Sequence, residues 1–190
     1  MTESMGEAVG PWRRITSDVV YENPWIRVHH EQVLTPAGTP GIYGRVHFLN
    51  QAIAIVAIDA HEHVFLVKQF RYVRGEYSLE IPKGGGARDV EPLEIAKREL
   101  KEETGFCAAK WQHLLQLQIS NSVTNQNGHV FVAEQLTAGE QSLDDSEDIE
   151  VIRVPLKEAI AMACDGRITD DFSVVALLRV ALMRGISVAR

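Results

Sequence analysis

Residues 52–58 read Ala-Ile-Ala-Ile-Val-Ala-Ile, an unbroken apolar run with no polar position on either side of the chain. It is far too short to cross a membrane and rich in β-branched residues, so it reads as a strand. A strand apolar on both faces has to be covered on both faces. That requirement excludes a sheet open to water on one side and calls for layers above and below. The neighbouring sequence offers them. Between Trp12 and about Glu80, VVYENPWIRVHHEQVL, IYGRVHFL and VFLVKQF are further strand material, punctuated by Asn-Pro, Pro-Ala-Gly-Thr-Pro and Asp-Ala-His-Glu-His. Glu91 to Thr104 switches to a helical period, with Pro92 suited to a first helical position and Gly105 to a left-handed stop. Residues 111–119, 129–136 and 149–154 are strand candidates, and 155–164 and 171–184 are helices. The apolar material of the last helix, from Val174 to Leu182, is core packing. A mixed sheet with three helices follows, an α+β protein without the regular alternation of a dinucleotide-binding fold.

The chain has 190 residues, enough for one domain with an appendage. It carries 19 Lys and Arg against 26 Asp and Glu, a formal charge of −7, which argues against nucleic acid or anionic membrane as partner. An acidic site that recruits a divalent cation is compatible with that balance. Two cysteines, Cys107 and Cys164, exclude a disulfide scaffold and an all-cysteine zinc site. They are expected to be core or near-surface thiols in a reducing compartment. Residues 1–10 are small, polar or glycine-containing and read as a mobile tail without the apolar core of a signal peptide. A cytoplasmic protein is the expectation. His61 and His63 fall in a turn between two strands, and His29 and His30 on opposite faces of a strand, so neither pair reads as a metal site.

Glu99, Glu102 and Glu103 are spaced i, i+3 and i+4, which on a helix sends all three towards one side. Like charges so placed cost about 0.2–0.5 kcal/mol per pair. Arg98 stands four residues from both Glu94 and Glu102 and can brace the helix. Two readings follow: a solvated charged face, or converging oxygen donors for Mg²⁺ or Mn²⁺.

The whole segment Gly84 to Phe106, GGGARDVEPLEIAKRELKEETGF, resembles the signature of the Nudix hydrolases. That pattern is Gly, five residues, Glu, seven residues, then Arg-Glu-aliphatic-x-Glu-Glu-x-Gly-aliphatic. Gly84, Arg98, Glu99, Leu100, Glu102, Glu103, Gly105 and Phe106 are in register, whereas Val90 occupies the slot of the early glutamate and Glu91 comes one place late. QFRY (69–72) and LEIPKGG (79–85) look like the ADP-ribose pyrophosphatase branch of that family. The resemblance covers nearly everything from Trp12 onwards, and it implies a Nudix α/β/α sandwich with a mixed sheet. The implied organisation is a flexible tail over residues 1–11, an amino-terminal β extension over 12–50 for dimerisation and the base pocket, and a Nudix hydrolase domain over 51–190.

What the resemblance implies for function is hydrolysis of the pyrophosphate bond of a nucleoside diphosphate sugar, dependent on Mg²⁺, with Mn²⁺ as the alternative ion. ADP-ribose, yielding AMP and ribose 5-phosphate, comes first. ADP-glucose or GDP-mannose is the alternative, as is a Nudix-fold ligand sensor with weak catalysis. Implied metal ligands are Glu99, Glu102, Glu103 and the backbone carbonyl of Lys83. Implied substrate contacts are Arg71 to the phosphates and Glu80 within the site. Tyr21, Trp25 and Ile26 are candidates for the base pocket of a homodimer, with a core-strand role as the other reading. The proton of the attacking water needs a carboxylate. The branch takes it from the loop ahead of the IEV-like strand, which here offers Asp144, Asp145 and Glu147, with Asp145 and Glu147 preferred and Glu99 as fallback. Related chains carry acids ahead of the GHVFVA-like strand, where this one has Asn125 and Gln126. An amide there can orient a water or a sugar hydroxyl but cannot act as a base near neutral pH.

Overall fold

A computed structural model describes residues 6–143 and 148–187. The chain divides into two compact units: residues 1–51 with 118–127, and residues 52–117 with 128–190.

The first unit is built on a four-stranded antiparallel sheet, β1 (Glu7–Val9), β2 (Trp12–Glu22), β3 (Ile26–Leu34) and β4 (Pro40–Phe48), paired in chain order. The expected tail is therefore a strand at Glu7–Val9, paired with Trp12–Arg14. The turn between β2 and β3 closes because the Asn23 side-chain carbonyl accepts the backbone N–H groups of Trp25 and Ile26, both at 2.9 Å. Residues 118–127 join this unit through Val46 N–H to Val123 O at 2.9 Å and Phe48 N–H to Asn125 Oδ1 at 2.7 Å. On the sheet, Glu31 is buried, which by itself would raise its pKa. Hydrogen bonds from Ser17 and Arg45, with the charges of Arg45 and Arg14, hold it below the ordinary carboxylate range instead.

The second unit holds a seven-stranded sheet. Its central path is β11 (Ile149–Pro155), β6 (His63–Arg71), β5 (Asn50–Ile58), β10 (Asn127–Ala138) and β9 (Phe106–Gln118). Two short strands join it, β7 (Glu76–Glu80) on β6 and β8 (Lys83–Ala87) on β5. β10 runs parallel to β5, while β6 pairs antiparallel with β5, β7 and β11, so the sheet is mixed as expected. β8 is the glycine run, which sequence pattern did not mark as a strand because glycine carries no side-chain periodicity.

Residues 53–58 are all essentially inaccessible, as a doubly covered strand requires. On one face Ile53, Ile55 and Ala57, with Phe65, Phe131 and Ala133, pack against Ile95, Ala96 and Leu100 of α1 (Pro92–Thr104). Fully burying such side chains is worth about 1.5–3 kcal/mol each. The alternate positions of β5 face the other way, the side of α2 (Leu156–Asp165) and α3 (Asp171–Arg184). There α2 packs on β6, β11 and α3, and the Phe172 ring lies over Gly128. Cys107 and Cys164 are both free and exposed. No helix of the described residues is long and apolar enough to cross a membrane.

Candidate active site

α1 starts at Pro92, whose missing N–H costs nothing in the first turn, and ends at Gly105 with φ 74°. Its buried positions are Ile95, Ala96, Glu99, Leu100, Glu103 and Thr104. Two of the three glutamates therefore lie on the inward side, Glu99 at 6% and Glu103 at 2% exposure. Glu102 does not join them. Successive helical residues are rotated by about 100°, so Glu102 falls on the rim beside Arg98. Arg98 bonds Glu102 at 2.8 Å, Glu99 at 2.6 Å and the Gly85 carbonyl at 2.8 Å. The expected brace is thus made to Glu99 and Glu102; Glu94 pairs with Lys97 instead.

The glycine run meets this helix closely. A β-carbon at Gly84 would overlap the Glu99 carboxylate, and one at Gly86 would stand 2.6 Å from Ile95 Cδ1. The Glu103 carboxylate accepts the Lys83 backbone N–H at 2.9 Å. The strand–loop–helix segment is therefore folded back on itself with two buried carboxylates against the backbone of residues 83–84. That arrangement fits a hard divalent cation: oxygen donors only, held in place, with the space beside Glu99 kept clear by a glycine. Among the described residues no three His, Cys, Asp or Glu side chains converge on one point, and Arg98 holds both Glu99 and Glu102.

Beside these carboxylates, at the end of β7, lies Glu80, 2% exposed. Arg71 clamps it in a fork, Nε to Oε1 at 2.9 Å and Nη2 to Oε2 at 2.5 Å, and Lys83 Nζ approaches Oε2 at 2.9 Å. Burial alone would raise the Glu80 pKa, yet the Arg71 hydrogen bonds and the charges of Lys83 and Arg71 bring it down to about 2. Arg71 is correspondingly shifted up by its hydrogen bond to Glu80, against the opposing effect of burial.

Two site residues escaped sequence reasoning. Asp170, the cap of α3, accepts the backbone N–H of Ser173 at 3.0 Å and its hydroxyl at 2.7 Å, and its other oxygen is ion-paired with Lys83. Ser173 Oγ in turn accepts the Ile81 N–H at 2.9 Å. Asp170 standing ahead of an apolar run marks a cap and says nothing of a distant lysine.

Arg71, Glu80, Lys83, Glu99, Glu102 and Glu103 thus belong to the second unit, while Trp25 and Gln126 belong to the first. Trp25 is 64% exposed in the turn after β2, which overturns the core-strand reading for it. The Asn125 side chain is committed to Phe48 N–H and to His47 Nδ1, the latter at 2.9 Å. Gln126 donates its backbone N–H to Thr124 Oγ1 at 3.2 Å. Asp144, Asp145 and Glu147 lie outside the described residues. His61 and His63 occupy the β5–β6 hairpin, where Asp59 accepts both backbone N–H groups, as a turn requires.

Known proteins resemble this chain in sequence and in fold. An ADP-ribose pyrophosphatase of Bacillus subtilis is 33% identical over 128 residues, 66% of this chain and 69% of that protein. A GDP-mannose pyrophosphatase of Pectobacterium atrosepticum is 36% identical over 134 residues, 64% of this chain and 67% of its own. A crystal structure described as an ADP compounds hydrolase superposes with a TM-score of 0.83 at 23% identity, covering 96% of this chain and all of the other, which establishes the fold. Residues 12–46 match the nucleoside diphosphate sugar hydrolase N-terminal domain, and residues 49–174 match the NUDIX domain. The chain belongs to the NUDIX family.

Proposed function

We propose that this protein hydrolyses the pyrophosphate bond of a nucleoside diphosphate sugar with the help of a divalent cation, ADP-ribose being the first substrate. The observation that carries this reading is the pair of buried signature carboxylates, Glu99 and Glu103, in the same unit as the Arg71–Glu80 fork. The named relatives support it: one is an ADP-ribose pyrophosphatase and another a GDP-mannose pyrophosphatase, which keeps GDP-mannose as the second candidate substrate.

Glu99 and Glu103, with the Lys83 carbonyl, would hold Mg²⁺ or Mn²⁺, and Glu102 would join them on leaving Arg98. When bound, such an ion offsets phosphate charge and lowers the pKa of a coordinated water. The remaining work falls to this chain. Glu80 fixes Arg71 through two of its nitrogens and leaves Nη1 to bind a phosphate oxygen, so the guanidinium is oriented before substrate arrives. Water attacks phosphorus, the bridging P–O bond breaks, and AMP and ribose 5-phosphate separate. The proton of the water goes to Asp145 or Glu147, with Glu99 as the reserve. The Gln126 amide orients water or a sugar hydroxyl, and Trp25 supplies a face for the base. The assembly is a homodimer in which the amino-terminal sheet meets the partner.

A turnover screen tests this reading. The EDTA-treated protein should be inactive on ADP-ribose, ADP-glucose and GDP-mannose. Mg²⁺ or Mn²⁺ should restore hydrolysis of at least one, with a nucleoside monophosphate among the products. Full activity without metal, or no turnover of any nucleotide sugar with it, refutes the proposal.

A further inference from the structure

The Lys83 side chain has no part in the chemistry just described, yet it is one of the most heavily engaged cations in the molecule. It touches Glu80 and Asp170 and is 21% exposed, against 3% and 9% for the two carboxylates. We infer that Asp170 and Lys83 form a bolt that sets the Arg71–Glu80 fork, making Asp170 a positioning residue for phosphate binding. The inference rests on the nucleotide-sugar reading and deepens it.

Glu80 Oε2 is shared between Arg71 Nη2 and Lys83 Nζ. Two cations therefore hold one oxygen between them, and Lys83 helps to fix the carboxylate against which Arg71 is set. Asp170 draws on the same ammonium from the other side. Its carboxylate is itself immobilised, because Oδ2 is bound by both the N–H and the hydroxyl of Ser173. The first turn of α3 also grips the backbone at Ile81 through Ser173 Oγ. Residues 80–83 are thus tied to α3 at two points, and this same segment carries the Glu80 carboxylate and presents the Lys83 N–H to Glu103. With Arg71 and Lys83 against Glu80 and Asp170, the cluster sums to zero charge. Removing Asp170's charge takes away the anchor of Lys83, and removing the Lys83 ammonium takes away a contact that fixes Glu80 Oε2, so either change loosens the carboxylate that orients Arg71. The expected consequence is poorer phosphate binding with little change in the chemical step.

Asparagine caps a helix about as well as aspartate, so Asp170→Asn separates the ion pair from the cap. Asp170→Asn and Lys83→Met should each raise KM about tenfold, within the usual range for residues coupled in one network, with kcat within about threefold. The melting temperature of Asp170→Asn should stay close to the parent's. The double variant should be no worse than either single one, and Lys83→Arg, which keeps the charge and the reach, should recover most of the loss. Calorimetric binding of AMP and of inorganic pyrophosphate should weaken in parallel with KM. A wild-type KM in either single variant, losses that multiply in the double variant, or a fall in kcat alone overturns the bolt. A parent that binds pyrophosphate but hydrolyses no nucleotide sugar refutes the functional reading alone, and the bolt is then judged on the calorimetry. A parent that does neither refutes both.

Discussion

Gly84 has an open backbone requirement in its dihedral angles but a closed one in space, since any β-carbon there meets the Glu99 carboxylate. The obstacle is the end of a flexible side chain, so Gly84→Ala should fold with nearly the parent's melting temperature while Glu99 is displaced. The Mg²⁺ concentration for half-maximal activity should then rise by about tenfold or more, in the range found when the supporting contacts of a metal site are lost. An unchanged Mg²⁺ activation curve would show that Glu99 does not bind the cation. The proton acceptor is the other residue-scale question. Asp145→Asn or Glu147→Gln should lower kcat at least about a hundredfold, the lower end of general-base effects. If both variants keep the parent's kcat, the loop base is wrong. Glu80 makes a pH prediction. Its pKa is about 2 when folded against an ordinary 4.5, so the stability it contributes is complete above about 4.5 and disappears as the pH falls towards 2. Glu80→Gln should therefore flatten the acid limb of a melting-temperature profile between those values, and an unaltered limb would contradict the fork.

At the scale of elements, the strand β10 and the helix α3 meet where Gly128 lies under the Phe172 ring. A methyl group there would overlap a ring carbon and also stand 3.0 Å from the Ala52 carbonyl, which is backbone of the central strand and cannot yield. Gly128→Ala should cost about 1–3 kcal/mol, as over-packed cores do, read as a lower melting temperature. A melting temperature equal to the parent's would mean that α3 can shift away from the sheet. The element-level pattern was largely legible. α1, α2 and α3 lie within a residue of their expected limits, because Pro92, Gly105 and the apolar periods act over neighbouring residues. The strands were less so: β7 lies in none of the named apolar runs, and β9 begins at Phe106 rather than 111. β8 was hidden by its glycines, and β1 by the polarity of a short segment whose strand character comes from pairing with Trp12–Arg14. Backbone pairing of this kind leaves no side-chain signature.

At the scale of the molecule, the amino-terminal sheet exposes Val19, Val20, Tyr21, Trp25 and Ile42 to between 51% and 67%. Such surface on a sheet is a liability unless something covers it, and a second copy of the chain is the proposed cover. Sedimentation at micromolar concentration should give about twice the 21.2 kDa chain mass, and an active monomer would remove that proposal. By itself the sequence determined the doubly covered central strand, the helix boundaries and the family signature. Each of these is written in periodicity or in a contiguous run of residues. Tertiary structure alone decided the rest. It sent Glu102 to the rim with Arg98 while Glu99 and Glu103 went inward, spent Asn125 on Phe48 and His47, and brought Asp170 and Ser173 of α3 to Lys83 and Ile81. Those outcomes depend on the rotation of a helix against its sheet and on contacts between segments some 90 residues apart, 92 in the case of Ile81 and Ser173. Linear spacing cannot carry them, because a carboxylate's partner is chosen by which charges the folded backbone places within reach once water has been excluded.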